Sequence, residues 1–176
     1  MKRKTVTLCM IARDNEQSID ATIKSTLAVV DEIIVVDVGS TDKTVLIAQG
    51  YGAKVCSAQW QDDFSKLRNA VMAEATSDWI LMLDPGDVLE PIRPVEMNKL
   101  ISSDGVAGYK IRVQSEDSVK WQVNLFRNHP FVKYRYPVYE KIEVDLLAWA
   151  ESRGLKIKES TLVVKQSDDC SETFFT

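Results

Sequence analysis

The stretch Ser77–Glu90, SDWILMLDPGDVLE, constrains this chain more than any other. Trp79-Ile80-Leu81-Met82-Leu83 runs without a polar residue and then meets Asp84. A short, unbroken apolar run is the pattern of a strand buried on both faces, as in a parallel sheet covered by helices. Asp84, Pro85, Gly86 and Asp87 end it, placing two carboxylates around a turn dipeptide that cannot extend the strand. Ligand crevices in open α/β sheets lie beyond the carboxyl ends of the strands. Two acids there suit a divalent cation held by hard oxygen ligands. The plainer alternative is a surface turn whose aspartates cap the next helix.

The same grammar recurs upstream. Val6 to Ala12 is a second apolar run, ended by Arg13-Asp14-Asn15-Glu16. Ile19, Thr22, Ile23, Thr26, Leu27 and Val30 follow at helical spacing. Glu32 to Val38 is β-branched and carries Asp37 at its end. Gly39-Ser40-Thr41-Asp42 makes a turn, with Ser40, Thr41 or Asp42 capping a helix through Val45, Ile47 and Ala48. Ala53 to Ser57 reads as a third strand. Asp62 or Asp63 caps a helix whose apolar face, Phe64, Leu67, Val71, Met72 and Ala75, also carries Arg68. A charge on such a stripe needs a partner, either a sheet carboxylate or a ligand phosphate. Strand–helix alternation up to Asp84 predicts a parallel, doubly wound sheet.

The second half changes character. Pro91 to Ile101 reads as a helix with Val95 and Leu100 facing inward, and Val106–Val113 with Lys120–Phe126 as an antiparallel pair. Phe126 to Lys141 interleaves Arg127, His129, Lys133, Arg135 and Lys141 with Phe131, Tyr134, Tyr136 and Tyr139. Cations among aromatic faces suit an acidic or sugar-bearing partner. A twisted edge strand with solvated lysines is the alternative. Glu143–Ser152 reads as a helix and Leu155–Lys165 as a last strand. The tail from Gln166, with Phe174-Phe175, supports no assignment.

Composition narrows the function classes. The net charge of −4 argues against broad nucleic-acid binding. No apolar run approaches the roughly 20 residues of a membrane span, and no cleavage pattern follows the basic start, so a cytoplasmic protein is expected. Cys9, Cys56 and Cys170 are odd in number and widely spaced, which fits free buried thiols in a reducing compartment. No GxGxxG or GxxxxGK[ST] occurs, and His129 is the only histidine, so dinucleotide, P-loop and Ser-His-Asp readings lose support. Asp37 and Asp84 share one sheet edge beside Gly39-Ser40-Thr41, where close backbone approach and hydroxyls suit a ribose or phosphate.

VTLCMIARDNE, DEIIVVDVGSTDKTVLIAQGYGAKV and DDFSKLRNAVMAEATSDWILMLDPGDVL together resemble the family 2 glycosyltransferases, most closely the bacterial subgroup related to lipopolysaccharide-core enzymes. The likeness is dense from Thr5 to about Glu90 and thins to NLFRN and YPVYE. It implies a GT-A (Rossmann-like) α/β fold: a mostly parallel sheet with helices on both faces and a smaller antiparallel C-terminal part. Residues 1–90 would form a nucleotide-binding half and 91–176 an acceptor-side half. The implied reaction is inverting transfer from a nucleotide-diphosphate sugar, usually UDP-linked, with Mg²⁺ or Mn²⁺. The acceptor would be a glycan or lipid-linked glycan of the cell envelope, with peripheral membrane contact through Phe126–Lys141. Ile11, Arg13, Asp14, Asp37, Gly39 and Ser40 would line the nucleotide pocket, with Arg68 and Asp84 near the diphosphate. Asp84 is the first acid of the family's metal motif. The D-A-D-E of relatives reads Asp84-Pro85-Gly86-Asp87 here, which leaves Asp87 as the substitute second metal acid. A His-Glu pair of relatives reads Tyr139-Glu140, making Glu140, with Asp87, the catalytic candidates. These departures leave a non-catalytic GT-A-fold binding domain as the rival reading.

Overall fold

The computed structural model describes residues 3–167. Its elements are β1 (Val6–Ala12), α1 (Ile19–Thr26), β2 (Glu32–Asp37), α2 (Thr44–Gly50), β3 (Lys54–Ser57), α3 (Phe64–Ala73), β4 (Trp79–Met82), β5 (Asp87–Leu89), α4 (Pro94–Ile101), β6 (Val106–Gln114), β7 (Val119–Arg127), α5 (Glu143–Ser152) and β8 (Lys156–Gln166). All eight strands join one sheet in the order β3-β2-β1-β4-β7-β6-β8-β5. The β3-β2-β1-β4 block is parallel, and β7 then runs antiparallel to β4. Beyond it, β6 pairs antiparallel with β7 but parallel with β8, and β5 closes the edge antiparallel to β8.

Alternation along the strands explains the two layers. Val6, Leu8, Met10 and Ala12 of β1, with Trp79, Leu81 and Leu83 at β4, share a cluster with Ile19 and Ile23 of α1 and Met97 and Ile101 of α4. Cys9, Ile11, Ile80 and Met82 face the other way, toward Leu67 and Val71 of α3 and Leu146 of α5. Each strand residue thus meets a helix on its own side, which is why β1 and β4 show no polar alternation. Gly108 of β6 lies under α5; a Cβ there would stand 2.9 Å from Leu146 Cδ2, so a side chain would make the Leu146 side chain shift.

Several boundaries differ from the sequence reading. Asp63 is the α3 cap: its carboxylate accepts from Lys66 N, while Asp62 turns the chain with φ +54°. At α2, Asp42 accepts from Thr44 N at 2.9 Å, and Ser40 and Thr41 turn instead toward Asp14. The fourth helix starts at Pro94 rather than Pro91, and Val95 is exposed while Met97 and Ile101 carry its buried face. Strand β5 follows the Asp84–Asp87 turn directly; its three residues are too few for a periodicity to register. Residues 128–142 form no edge strand, only an isolated bridge between Arg135 and Lys141. Cys9 is buried, which pushes its thiol well up, and Cys56 is half-buried; Cys170 and Phe174-Phe175 lie outside the described residues.

Candidate active site

Strand parity sets the centre of the site. Ile80 and Met82 point toward α3, and Asp84, two residues on, continues that side just past the strand end. On α3, Arg68 rises from the buried stripe of Leu67, Val71 and Met72. Its Nη1 and Nη2 donate to the two oxygens of Asp84, both at 3.1 Å, and its Nε donates to Glu140 Oε1 at 2.6 Å. A planar guanidinium matches two carboxylates in this forked way, which an ammonium does not. Arg68 is 9% exposed and also lies over the Tyr134 ring, 5.4 Å from its centroid. Burial alone would favour its neutral form, but the two carboxylates hold it charged, so its pKa moves up. The carboxylate partner expected for Arg68 is present, in the form of Asp84 and Glu140.

A second cluster lies at the ends of β1 and β2. The Asp37 carboxylate accepts from the amides of Gly39 and Ser40, and Gly39 takes φ +82° to make that turn. Asp14, held at φ +51°, accepts from Thr41 N at 2.7 Å, and its own amide donates to Ser40 Oγ at 2.9 Å. Asn15 is buried; its Oδ1 accepts from Arg13 N at 2.8 Å, while its backbone N–H donates to Thr44 Oγ1. The sequence reading passed over Asn15, although a buried amide side chain one residue after a strand-ending acid is a recognisable loop fastener. These bonds tie the two strand-end loops together. Ile11, expected at the pocket, has its side chain in the buried α3-side cluster, so only its backbone stands near this edge.

Asp87 takes a different position from the one expected. The turn before it has Pro85, then Gly86 at φ +100°, with Asp87 N donating to Asp84 O at 2.9 Å. Pro then Gly at positive φ is the chemistry of a type II turn. The Asp87 carboxylate folds back into it, accepting from Asp84 N at 3.0 Å and from Gln166 Nε2 at 3.1 Å. Burial and the neighbouring Asp84 push its pKa up to about 6. The Gly86 amide donates to Thr22 Oγ1 at 2.8 Å, and no other residue type accepts that φ cheaply.

The aromatic–basic stretch does not form one strip. Arg127 donates to the carbonyls of Val106 and Ser103 and lies over Trp79; His129 stacks on Trp149; Tyr134 is buried; Arg135 pairs with Asp145. Of this stretch Tyr134, Tyr139, Glu140 and Lys141 line a groove of about 370 Å³, together with Lys120, Trp121 and Glu143. Trp121 and Lys120 come from β7, far away in sequence, so no local signal announced them.

Residues 7–152 match the sequence profile of the glycosyl transferase family 2. The chain belongs to that family. It is 37% identical over 81% of its length to a TPR repeat-containing protein of Synechococcus elongatus, and 31% identical over 62% to an uncharacterised glycosyltransferase of Rickettsia bellii. It spans only 36% and 38% of those relatives. Among solved structures, residues 1–349 of Staphylococcus aureus TarS in complex with UDP match 92% of the chain, which covers 60% of that chain, at TM-score 0.71 and 13% identity. Mycobacterium tuberculosis glucosyl-3-phosphoglycerate synthase with Mn²⁺, UDP and phosphoglyceric acid matches 93%, and 69% of its own chain, at TM-score 0.62 and 19% identity. The fold is therefore that of the GT-A glycosyltransferases.

A divalent cation shared by Asp84 and Asp87 does not fit these residues. Both Asp84 oxygens accept from the Arg68 fork, and the Asp87 oxygens accept from Asp84 N within the turn and from Gln166 Nε2 of β8. Gly86, between them, supplies no side chain. Among the described residues no three His, Cys, Asp or Glu side chains converge on a point that could hold a metal. No helix among them is long and apolar enough to cross a membrane.

Proposed function

We propose that this chain binds a UDP-sugar at the carboxyl edge of β1, β2 and β4 and transfers the sugar, with inversion, to an acceptor hydroxyl. The observation that carries the reading is Arg68, which joins Asp84 on the donor edge to Glu140 on the acceptor side. Asp37 and the Gly39–Thr41 turn form the nucleoside wall, with Arg13 and Asp14 at its mouth. The donor preference for UDP rests on the family and on two structural neighbours bound to UDP. Residues 1–90 would act as the nucleotide-binding half and 91–176 as the acceptor-side half.

Glu140 is the candidate base. Arg68 holds its Oε1, and among the described residues no hydrogen bond reaches Oε2, which is left to accept the proton of an incoming hydroxyl. The oxygen of that hydroxyl attacks the anomeric carbon, its proton passing to Oε2, as the bond to the diphosphate breaks on the opposite face. Arg68 and Arg13 are the cations this reading assigns to the charge gathering on the leaving diphosphate. General-base assistance of this sort contributes roughly 10²–10⁴-fold. A glycan or lipid-linked acceptor, a cytoplasmic location and contact with a membrane surface remain parts of this proposal.

The engaged carboxylates of Asp84 and Asp87 favour one other reading, a GT-A-fold binding domain without transfer. Release of UDP from UDP-glucose, UDP-galactose and UDP-N-acetylglucosamine, compared between wild type and Glu140→Gln, separates the two. The enzyme reading expects release that falls at least 100-fold in the variant while UDP affinity is retained. Equal release in both proteins would remove Glu140 from the chemistry, and release in neither would leave the binding domain.

A further inference from the structure

Strand β7 outruns one of its two neighbours. It pairs with β6 from Val119 to Phe126, but with β4 only at Leu125, Phe126 and Arg127, because β4 ends at Met82. Where that pairing stops, the Asn124 side chain donates to Met82 O at 2.7 Å and closes the contact. The edge of β7 from Val119 to Val123 therefore has no strand beside it among the described residues. Such an edge presents a row of N–H and C=O groups ready to pair with another chain.

The hairpin tells which residues carry the open groups. Ser115 N donates to Ser118 O at 2.9 Å, and the register continues with Val113 opposite Lys120 and Ile111 opposite Gln122. Hydrogen-bonded and non-bonded pairs alternate along an antiparallel ladder. Lys120 and Gln122 thus turn their backbone groups to β6, and Val119 and Trp121 turn theirs to the open side. Among the described residues no hydrogen bond reaches the backbone of Val119 or Trp121 there.

The groove of about 370 Å³ runs along this edge. Neighbouring strand residues send their side chains to opposite faces, so a hollow over one face is lined by every second residue. Here Lys120, Trp121, Gln122 and Val123 all line it, which makes the backbone edge its wall. The facing wall, Tyr139 to Glu143, is also consecutive, in a loop pinned by the Arg135–Lys141 bridge and by Glu140 to Arg68. A groove walled on both sides suits a single added strand better than the edge of a second sheet. Lys120 and Lys141 stand against Glu140 and Glu143, so the lining selects no net charge. Trp121 and Tyr139, 44% and 86% exposed, offer aromatic rings to a neighbour's side chains.

We infer that the open edge of β7 docks an extended polypeptide segment of a partner protein, which adds a strand beside Val119–Val123. Val119 and Trp121 exchange main-chain hydrogen bonds with that segment, over a span of about 17 Å. Main-chain bonds supply the affinity in this mode, and side-chain contacts supply the selectivity. Trp121 and Tyr139 make those contacts here. The docking edge does not rest on the transferase reading and stands without it.

Octapeptides selected from a random displayed library on the full chain, then synthesised, test the assignment, with a UDP titration run in parallel. Each peptide is also made with N-methyl groups on alternate residues, in both phases. One phase removes the N–H groups that face β7 and should weaken binding at least tenfold. The other should change it less than threefold. Trp121→Pro removes the N–H on the open side while the ladder to β6 keeps its bonds, and should also weaken binding at least tenfold. Trp121→Ala keeps that N–H and should lose less. The methylation comparison uses wild type, so it decides the matter even if the proline variant does not fold. Selection of no peptide, equal tolerance of both phases, or full binding by a folded Trp121→Pro would each overturn the assignment. So would a wild-type dimer that Trp121→Pro dissociates, since the edge would then belong to a second copy. If UDP fails to bind while the peptide results hold, the transferase reading falls and the docking edge stands. UDP binding without any peptide binding gives the reverse.

Discussion

The two halves of this molecule solve the same problem, placing polar groups at a sheet edge, by opposite means. At the ends of β1, β2 and β4, each acid stands within a few residues of the strand that positions it. Asp14, Asp37 and Asp84 are fastened by bonds to neighbouring loops and to one helix. On the other side, Glu140 and Tyr139 sit in a loop with no regular structure, and their places are fixed by Arg68, Asn69 and Asp145 from elsewhere in the chain. The first design is local and the second is long-range. The lesson is that Arg68, bonded to both, carries the alignment of the whole site.

Arg68→Ala should therefore give the largest effect. It leaves Asp84 and Glu140 without their cation, and breaking a buried pair costs about 3–5 kcal/mol. Asp84 is partly open to solvent, so a value near the lower end, about 3 kcal/mol, is expected in urea unfolding. Lysine at this position should recover less than half of that loss, since it lacks the fork. A loss below about 1 kcal/mol would show that the halves align without it.

Gly86→Ala probes the local design. Its φ of +100° strains any other residue, and a cost of about 1–3 kcal/mol is expected by the same measurement. Asp87→Asn probes the turn through pH. The folded carboxyl keeps its proton up to about pH 6, while an unfolded one loses it near pH 4. Between those values the folded state binds more protons, so stability falls as pH rises through that window and levels off above it. Asparagine keeps the bond from Asp84 N, and Gln166 can turn its amide to match. The variant should lose this slope and be more stable than wild type at pH 7.5, as read by thermal midpoints at pH 4, 5, 6 and 7.5. The smallest effect belongs to the exposed part of the long-range half, where Val144→Ser should stay within about 0.5 kcal/mol of wild type.

This contrast also explains what could be read from the sequence. Asp37, Asp84 and the Gly39–Ser40 turn were legible because strand ends are announced by apolar runs. Arg68 was legible as a charge on an apolar stripe in need of a partner. Asp87 looked like a second site carboxylate because spacing does not tell which way a turn residue points; its partner Gln166 lies 79 residues on, in a pairing between β5 and β8 that no local pattern records. Trp121 joined the groove for the same reason. Its strand was identified, but its neighbours at the groove come from a loop whose shape depends on contacts to α3 and α5. Val95 was misplaced by starting α4 at Pro91, since a shift of three residues rotates the inward face.

The most direct test of the account is a calorimetric titration of UDP against wild type, Asp37→Ala and Arg68→Ala. A donor site at the ends of β1, β2 and β4 predicts UDP binding by wild type that weakens at least tenfold in each variant, with ADP binding more weakly than UDP. No binding of UDP to wild type, or binding that both variants leave intact, would contradict it.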